Sequence, residues 1–160
     1  MNLLKFVLDS SAFIAGFLPE DDEYFTIYGV IKELEDEQSK ERLSYFLNSG
    51  KIKIKEPNVE TVEEVSKKSQ ISGDNLSLTD IKLIALAIDL NSTIISEDYG
   101  IQNVSSIMKV KSMSIRESGI KKVINWEYYC IGCRRIYPKE KEICQDCGSI
   151  IKRRPKTKNY

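Results

Sequence analysis

Apolar residues crowd together from Leu3 to Leu8, interrupted only by Lys5 and closed by Asp9. A short run without alternation predicts a strand covered on both faces, as inside a parallel sheet. The next periodic stretch, Val30 to Leu47, spaces Val30, Ile31, Leu34, Leu43, Phe46 and Leu47 among charged residues. It predicts a helix, or one broken near Gln38, with Gly50 past its end. Lys51-Ile52-Lys53-Ile54-Lys55 alternates strictly. Lysines along one face fit a half-exposed edge strand, because their charge opposes pairing with a further chain.

Asn58 is placed to cap a polar helix reaching about Gln70, and Ser72-Gly73-Asp74-Asn75 reads as a loop. Ser77-Leu78-Thr79-Asp80 has the form of a capping box. The helix it opens is apolar around most of its circumference from Ile81 to Leu90, which assigns it to the centre of the fold. Thr93 to Ser96 predicts a β-branched strand, Tyr99 to Met108 a short helix, and Val110 to Ile115 another strand. Alternating strands and helices imply an α/β fold, a mostly parallel sheet flanked by helices. The expected organisation is a first domain over 1–117, a linker over 118–125 and a small module over 126–160.

Charge divides the chain near the same place. Residues 1–120 carry 13 Lys/Arg against 20 Asp/Glu, and residues 121–160 carry 11 against 4. An acidic body with a basic tail suits an enzyme whose carboxylates hold cations while a separate module attracts a polyanion. Solvated surface charge is the plainer alternative. The chain has no histidine, which excludes His-based acid/base catalysis, Ser-His-Asp and Cys-His catalysis, and His-containing metal sites. No stretch approaches the roughly 18 apolar residues of a membrane span, and the N-terminus lacks a signal peptide's basic start, so a cytoplasmic protein is expected.

Chemistry must then run on carboxylates, hydroxyls, lysine or metal. In an open parallel sheet, ligands collect beyond the carboxyl ends of the strands. Asp9 ends the first strand, Asp98 follows the strand Thr93 to Ser96, and Asp80 lies in the first turn of the central helix, so all three could face one crevice. Crowded carboxylates call for a cation, and oxygen-only donors favour magnesium or manganese, one ion or two. Taken singly, Asp80 is equally a helix-dipole carboxylate and Asp9 or Asp98 a turn residue.

The most specific pattern is Cys130-x-x-Cys133, ten residues, then Cys144-x-x-Cys147-Gly148. Two such turns place four thiolates at tetrahedral corners, and Gly148 permits the tight turn after the second pair. Four protein ligands leave no open position, so one zinc ion here would be structural, a staple for a module too small for a sufficient core. A disulfide or redox pair is the alternative. Around the cysteines, Arg134, Arg135, Lys152, Arg153 and Arg154 mix with Trp126, Tyr128, Tyr129 and Tyr137. Cations bind phosphate and aromatic rings stack on unpaired bases, which makes Arg134, Arg135, Tyr137, Lys152, Arg153 and Arg154 candidate RNA contacts. For Trp126, Tyr128 and Tyr129, packing within the ribbon or at a domain interface competes with that role.

Four segments in order resemble the acidic motifs of PilT N-terminus (PIN) nucleases. They are Asp9-Ser10-Ser11 after an apolar strand, Val30-Ile31-Lys32-Glu33-Leu34, Leu76-Ser77-Leu78-Thr79-Asp80 before the apolar helix, and Ile95-Ser96-Glu97-Asp98. The resemblance implies a magnesium- or manganese-dependent single-strand ribonuclease with Asp9, Glu33, Asp80 and Asp98 as catalytic metal-binding acids and Ser10 or Ser11 in support. Where Ser96 stands the family more often has threonine, and Glu97 beside Asp98 could share the ligand role. With the ribbon, the basic tail, Lys32 to Asp36, Lys51 to Pro57 and Asp98 to Val104 included, the chain resembles the Nin-one-binding endonuclease family, archaeal in its compact length. That likeness implies cleavage of precursor small-subunit (16S-type) rRNA near its 3′ end, on a pre-ribosomal particle and among other ribosome-assembly proteins. The rival from another class is a non-catalytic RNA-binding assembly factor.

Overall fold

The computed structural model describes residues 3–115 and 126–156. The expected linker, 118–125, lies outside them. The first unit is a five-stranded parallel sheet of β1 (Lys5–Leu8), β2 (Glu23–Thr26), β3 (Ile52–Ile54), β4 (Thr93–Ile95) and β5 (Ser112–Met113), in the order β3-β2-β1-β4-β5. Six helices connect and flank the strands: α1 (Ser10–Ile14), α2 (Tyr28–Glu33), α3 (Glu37–Asn48), α4 (Val59–Ser72), α5 (Leu78–Leu90) and α6 (Tyr99–Ile107). No helix among the described residues is long and apolar enough to cross a membrane.

The unalternating run at the N-terminus becomes the central strand. Val7 and Leu8 are fully buried, paired on one side with β2 and on the other with β4. The lysine-faced strand is β3 at the sheet edge, with Lys53 exposed beside buried Ile52. The helix with the apolar circumference is α5, whose Leu83 to Ala87 are all buried, and its predicted capping box is formed by Ser77 and Asp80.

The stretch Val30 to Leu47, expected as a helix or one broken near Gln38, is two helices, separated where Leu34 turns extended and Asp36 caps α3 by accepting the Ser39 N–H at 2.9 Å. The break falls just before Gln38, and other elements differ from expectation. Strand β2 and the one-turn helix α1 were not anticipated: Tyr24-Phe25 follows an acidic patch too closely to show a period, and α1 is too short to display one. Asn58 occupies the cap position of α4 but forms no side-chain cap; its own N–H donates to Asp89 Oδ2 at 2.7 Å.

The second unit is a three-stranded antiparallel sheet, order β7-β6-β8, of β6 (Trp126–Cys130), β7 (Ile136–Tyr137) and β8 (Ile151–Pro155). Its interior is small, consisting of Tyr128, Cys130, Tyr137, Cys144 and Ile151, and is separate from the core of the first unit.

Candidate active site and cysteine ribbon

Strand order decides where the acids meet. Chains leave β1 and β4 at adjacent carboxyl ends at the centre of the sheet, the place where connections pass to opposite sides and open a crevice. Asp9 follows β1 and Asp98 lies three residues past β4. The Asp9 N–H donates to the Ile95 carbonyl at 3.1 Å, tying the two exits together.

Asp9, only 3 % exposed, is fixed by hydroxyls. Its Oδ2 accepts from Ser11 Oγ at 2.8 Å and from Ser96 Oγ at 2.9 Å, and its Oδ1 accepts the Ser10 N–H at 2.8 Å. Ser96 also accepts the Asp98 N–H at 3.0 Å, and Ser11 accepts the Glu97 N–H at 2.9 Å. One hydroxyl relay thus sets both acids. Ser96, not named beforehand as a site residue although it stands in the Ile95-Ser96-Glu97-Asp98 motif, is the link; it lies one residue past β4, where its Oγ reaches Asp9.

Each of the three acids stands at a helix N-terminus. Asp9 caps α1, Asp98 caps α6 with Oδ1 accepting the Ile101 N–H at 3.1 Å, and Asp80 sits in the first turn of α5, accepting the Ser77 N–H at 3.1 Å. Unpaired backbone N–H groups offset part of the repulsion between neighbouring carboxylates. Repulsion is still felt. Burial, and then the charges of Asp9 and Asp98, push the Asp80 carboxyl up to about 6, against the lowering effect of the Ser77 hydrogen bonds. Asp80 and Asp98 line one cleft, and Asp9 is joined to Asp98 through the Ser96 hydroxyl. The acids form a looser group than the cysteines, which alone among the described residues bring their ligand atoms within 4.8 Å of one another. Hard carboxylate oxygens of this kind fit magnesium or manganese.

Glu33 ends α2, exposed. Four residues earlier on α2, Gly29 lies so close to Thr79 at the start of α5 that an added Cβ would come within 2.6 Å of Thr79 Oγ1. Glu33 is not among the residues that line the cleft. Glu97 is turned elsewhere: its carboxylate accepts from the Ser114 hydroxyl at 2.7 Å and from the Ile115 N–H, bracing the end of β5. Ser10 Oγ is 3.4 Å from Asp9 Oδ1.

In the second unit all four cysteines are free, and their sulfurs form one cluster. Cys130 and Cys147 Sγ lie 3.3 Å apart, and Cys133 and Cys144 Sγ lie 3.7 Å apart. A disulfide needs about 2.05 Å. Four sulfurs at about 2.3 Å from one ion stand about 3.8 Å apart, so the spacing fits a metal-bound quartet and a zinc ribbon. Each knuckle ends in a left-handed residue, Arg134 at φ 64° and Gly148 at φ 73°. The Tyr137 hydroxyl contacts Cys144 Sγ at 3.1 Å, and this hydrogen bond, with the backbone N–H groups of Cys147 and Asp146, brings the thiol down to about 6.

That contact changes the picture for Tyr137. Expected among the RNA contacts, it is 5 % exposed, inside the ribbon against a cysteine ligand. Trp126 and Tyr128 take the packing role at the interface between the two units: the indole N–H donates to Asp74 Oδ1 at 3.0 Å and the phenol to the Gly73 carbonyl at 3.0 Å. The candidate cations Arg134, Arg135, Lys152, Arg153 and Arg154 are all exposed. Arg135 pairs with Asp146, and Arg154 pairs with Glu127 at 2.8 Å while lying over the Tyr129 ring. Between the units runs an open cleft of about 880 Å³. Asp80, Asp98 and Tyr99 line one wall; Trp126, Lys141 and Arg153 line the other.

Comparison with known proteins agrees with this architecture. Residues 6–90 match the family model described as the PIN domain of ribonuclease. The chain is 40 % identical over 157 residues to "Endoribonuclease Nob1" of Pyrococcus abyssi, covering 96 % of this chain and 95 % of that one. It is also 40 % identical over 159 residues to "Endoribonuclease Nob1" of Methanothermobacter thermautotrophicus, covering 94 % and 93 %. Among solved structures, VapBC-1 from nontypeable Haemophilus influenzae shares the fold, with TM-score 0.50 and 13 % identity, over 69 % of this chain and 98 % of that one. The acids at the sheet's central crevice, the cysteine ribbon and near end-to-end similarity lead to one assignment: the chain belongs to the Nob1 family of PIN-domain endoribonucleases.

Proposed function

We propose that the chain hydrolyses a phosphodiester in single-stranded precursor rRNA, maturing the 3′ end of small-subunit rRNA on a cytoplasmic pre-ribosomal particle. The observation that carries this reading is the cleft, with acids at the sheet's crevice on one side and basic, aromatic residues of the ribbon on the other. An acidic site alone repels RNA; Lys141 and Arg153 on the facing wall outnumber its one acid, Glu140, and draw the strand in.

Asp9, Asp80 and Asp98, with Glu33 at the margin, are the residues that would hold magnesium or manganese. When bound, such an ion polarises the phosphate, makes water acidic enough to attack near neutral pH and stabilises the departing oxygen. Water adds at phosphorus and the P–O3′ bond breaks, leaving a 5′-phosphate and, once the departing oxygen is protonated, a 3′-hydroxyl. The chain's own contribution is placement. Ser11 and Ser96 hold Asp9 in one orientation, while the N-terminus of α6 holds Asp98. Cys130, Cys133, Cys144 and Cys147 would hold one structural zinc, which orders the ribbon without touching the reaction.

Asp98→Asn is the cleanest test, because asparagine caps a helix as well as aspartate and only the charge is lost. Cleavage of a precursor spanning the rRNA 3′ boundary, in manganese, is expected to fall by at least about 100-fold for Asp98→Asn and for Asp9→Asn. RNA affinity should stay near wild type, and product ends map the bond cut. Full cutting by either variant would reject the assignment.

A further inference from the structure

The cleft's two walls come from different parts of the chain, and the contacts that join them converge on Gly73 and Asp74. Gly73 ends α4 at φ 75°, and a Cβ there would come within 2.5 Å of the Trp126 carbonyl oxygen. Only glycine lets β6 lie so close against that turn. Beside it, Asp74 is 8 % exposed. Its Oδ1 accepts the Trp126 indole N–H at 3.0 Å, and its Oδ2 accepts from Ser72 Oγ at 2.9 Å and from Asn103 Nδ2 at 2.7 Å. A buried carboxylate that loses a donor is left underpaired in a poor solvent, so the indole is firmly held.

Arg153 rests on that indole, its guanidinium carbon 4.2 Å from the ring centroid. A guanidinium seated on a ring keeps N–H donors at its rim, and its planar fork suits two phosphate oxygens. Arg135 and Arg154 are engaged by carboxylates, whereas no carboxylate among the described residues forms an ion pair with Arg153. Arg153 and Trp126 line the same cleft as Asp80 and Asp98; Arg134 and Lys152 do not.

Building on the nuclease reading above, we propose that Arg153 forms a phosphate subsite of the active-site cleft, binding an RNA phosphodiester neighbouring the one that is cut. Asp74, acting through Trp126, is the positioning residue that holds this subsite opposite the acids. The ribbon then completes the substrate cleft as well as gripping distant RNA.

The test uses the full chain, zinc-loaded, with a single-stranded RNA of about six nucleotides, matched to the cleft. Arg153→Gln is expected to raise KM about tenfold, the loss of one charge-assisted hydrogen bond, with kcat unchanged. Arg153→Lys restores part of that loss, and Lys68→Ala, an exposed cation on α4 that does not line the cleft, changes nothing. Trp126→Phe keeps a ring but withdraws the N–H; it raises KM at constant zinc content, and adding it to Arg153→Gln costs nothing more. Binding of the same RNA without manganese, followed by fluorescence anisotropy, reads the subsite independently of turnover. Unchanged affinity in Arg153→Gln overturns the subsite, and additive losses in the double variant overturn the positioning role. A wild type that binds through Arg153 yet never cuts refutes the nuclease reading alone.

Discussion

Asp80 shows how one residue serves two masters. Its carboxylate completes the capping box of α5 and also faces the charges of Asp9 and Asp98. The folded chain holds its proton more tightly than the ordinary value of 3.8, the carboxyl being pushed up to about 6. Its share of stability is therefore fully present below the ordinary value and is lost as pH rises through about 6. In the absence of magnesium and manganese, the urea midpoint of the wild type should fall relative to Asp80→Asn as pH is raised from about 4 to about 6.5. Parallel curves for the two proteins would show that the strain is not there. The chemical identity of Asp9, Asp80 and Asp98 was legible from residue type and their places after strands and before a helix. Ser96 was not, because a hydroxyl 87 residues from Asp9 becomes its donor only when β1 and β4 pair.

Among elements, the ribbon depends most on something besides its own side chains. Two of the five residues in its interior are cysteine ligands, so without an ion there is little apolar surface left to bury. Cys130→Ser with Cys133→Ser is expected to unfold β6, β7 and β8 while the nuclease core keeps its fold, since the two interiors are separate. Near-ultraviolet circular dichroism of Trp126 and RNA affinity report the two consequences. Unaltered RNA affinity in the variant would contradict the assignment of RNA contacts to the ribbon. The two Cys-x-x-Cys turns, the edge strand and the central helix were readable because each has a fixed local spacing. Tyr137 was misplaced for the converse reason: an aromatic residue beside cations suggests stacking on bases, and only the folded ribbon shows it buried against Cys144.

Across the whole molecule, a part of each charged end meets at one cleft, Asp80 and Asp98 from the acidic body and Lys141 and Arg153, beside Glu140, from the basic end. Binding of a long single-stranded RNA should weaken steeply with salt. Replacing Arg134 and Lys152 together with alanine should reduce the slope of log affinity against log salt by about 1.4, near 0.7 for each lost phosphate contact. An unchanged slope would place the RNA path elsewhere. By itself, the sequence determined the parallel α/β class, the acid types, the metal-ligand spacing and the charge division, because all of these are set by local period and composition. Tertiary structure alone decided that Asp9 and Asp98 share a hydroxyl relay, that Glu97 braces β5, and that Asp74 and Trp126 join the two units. Those contacts link residues tens of positions apart, and no local spacing encodes the strand order or the docking that brings them within hydrogen-bond reach.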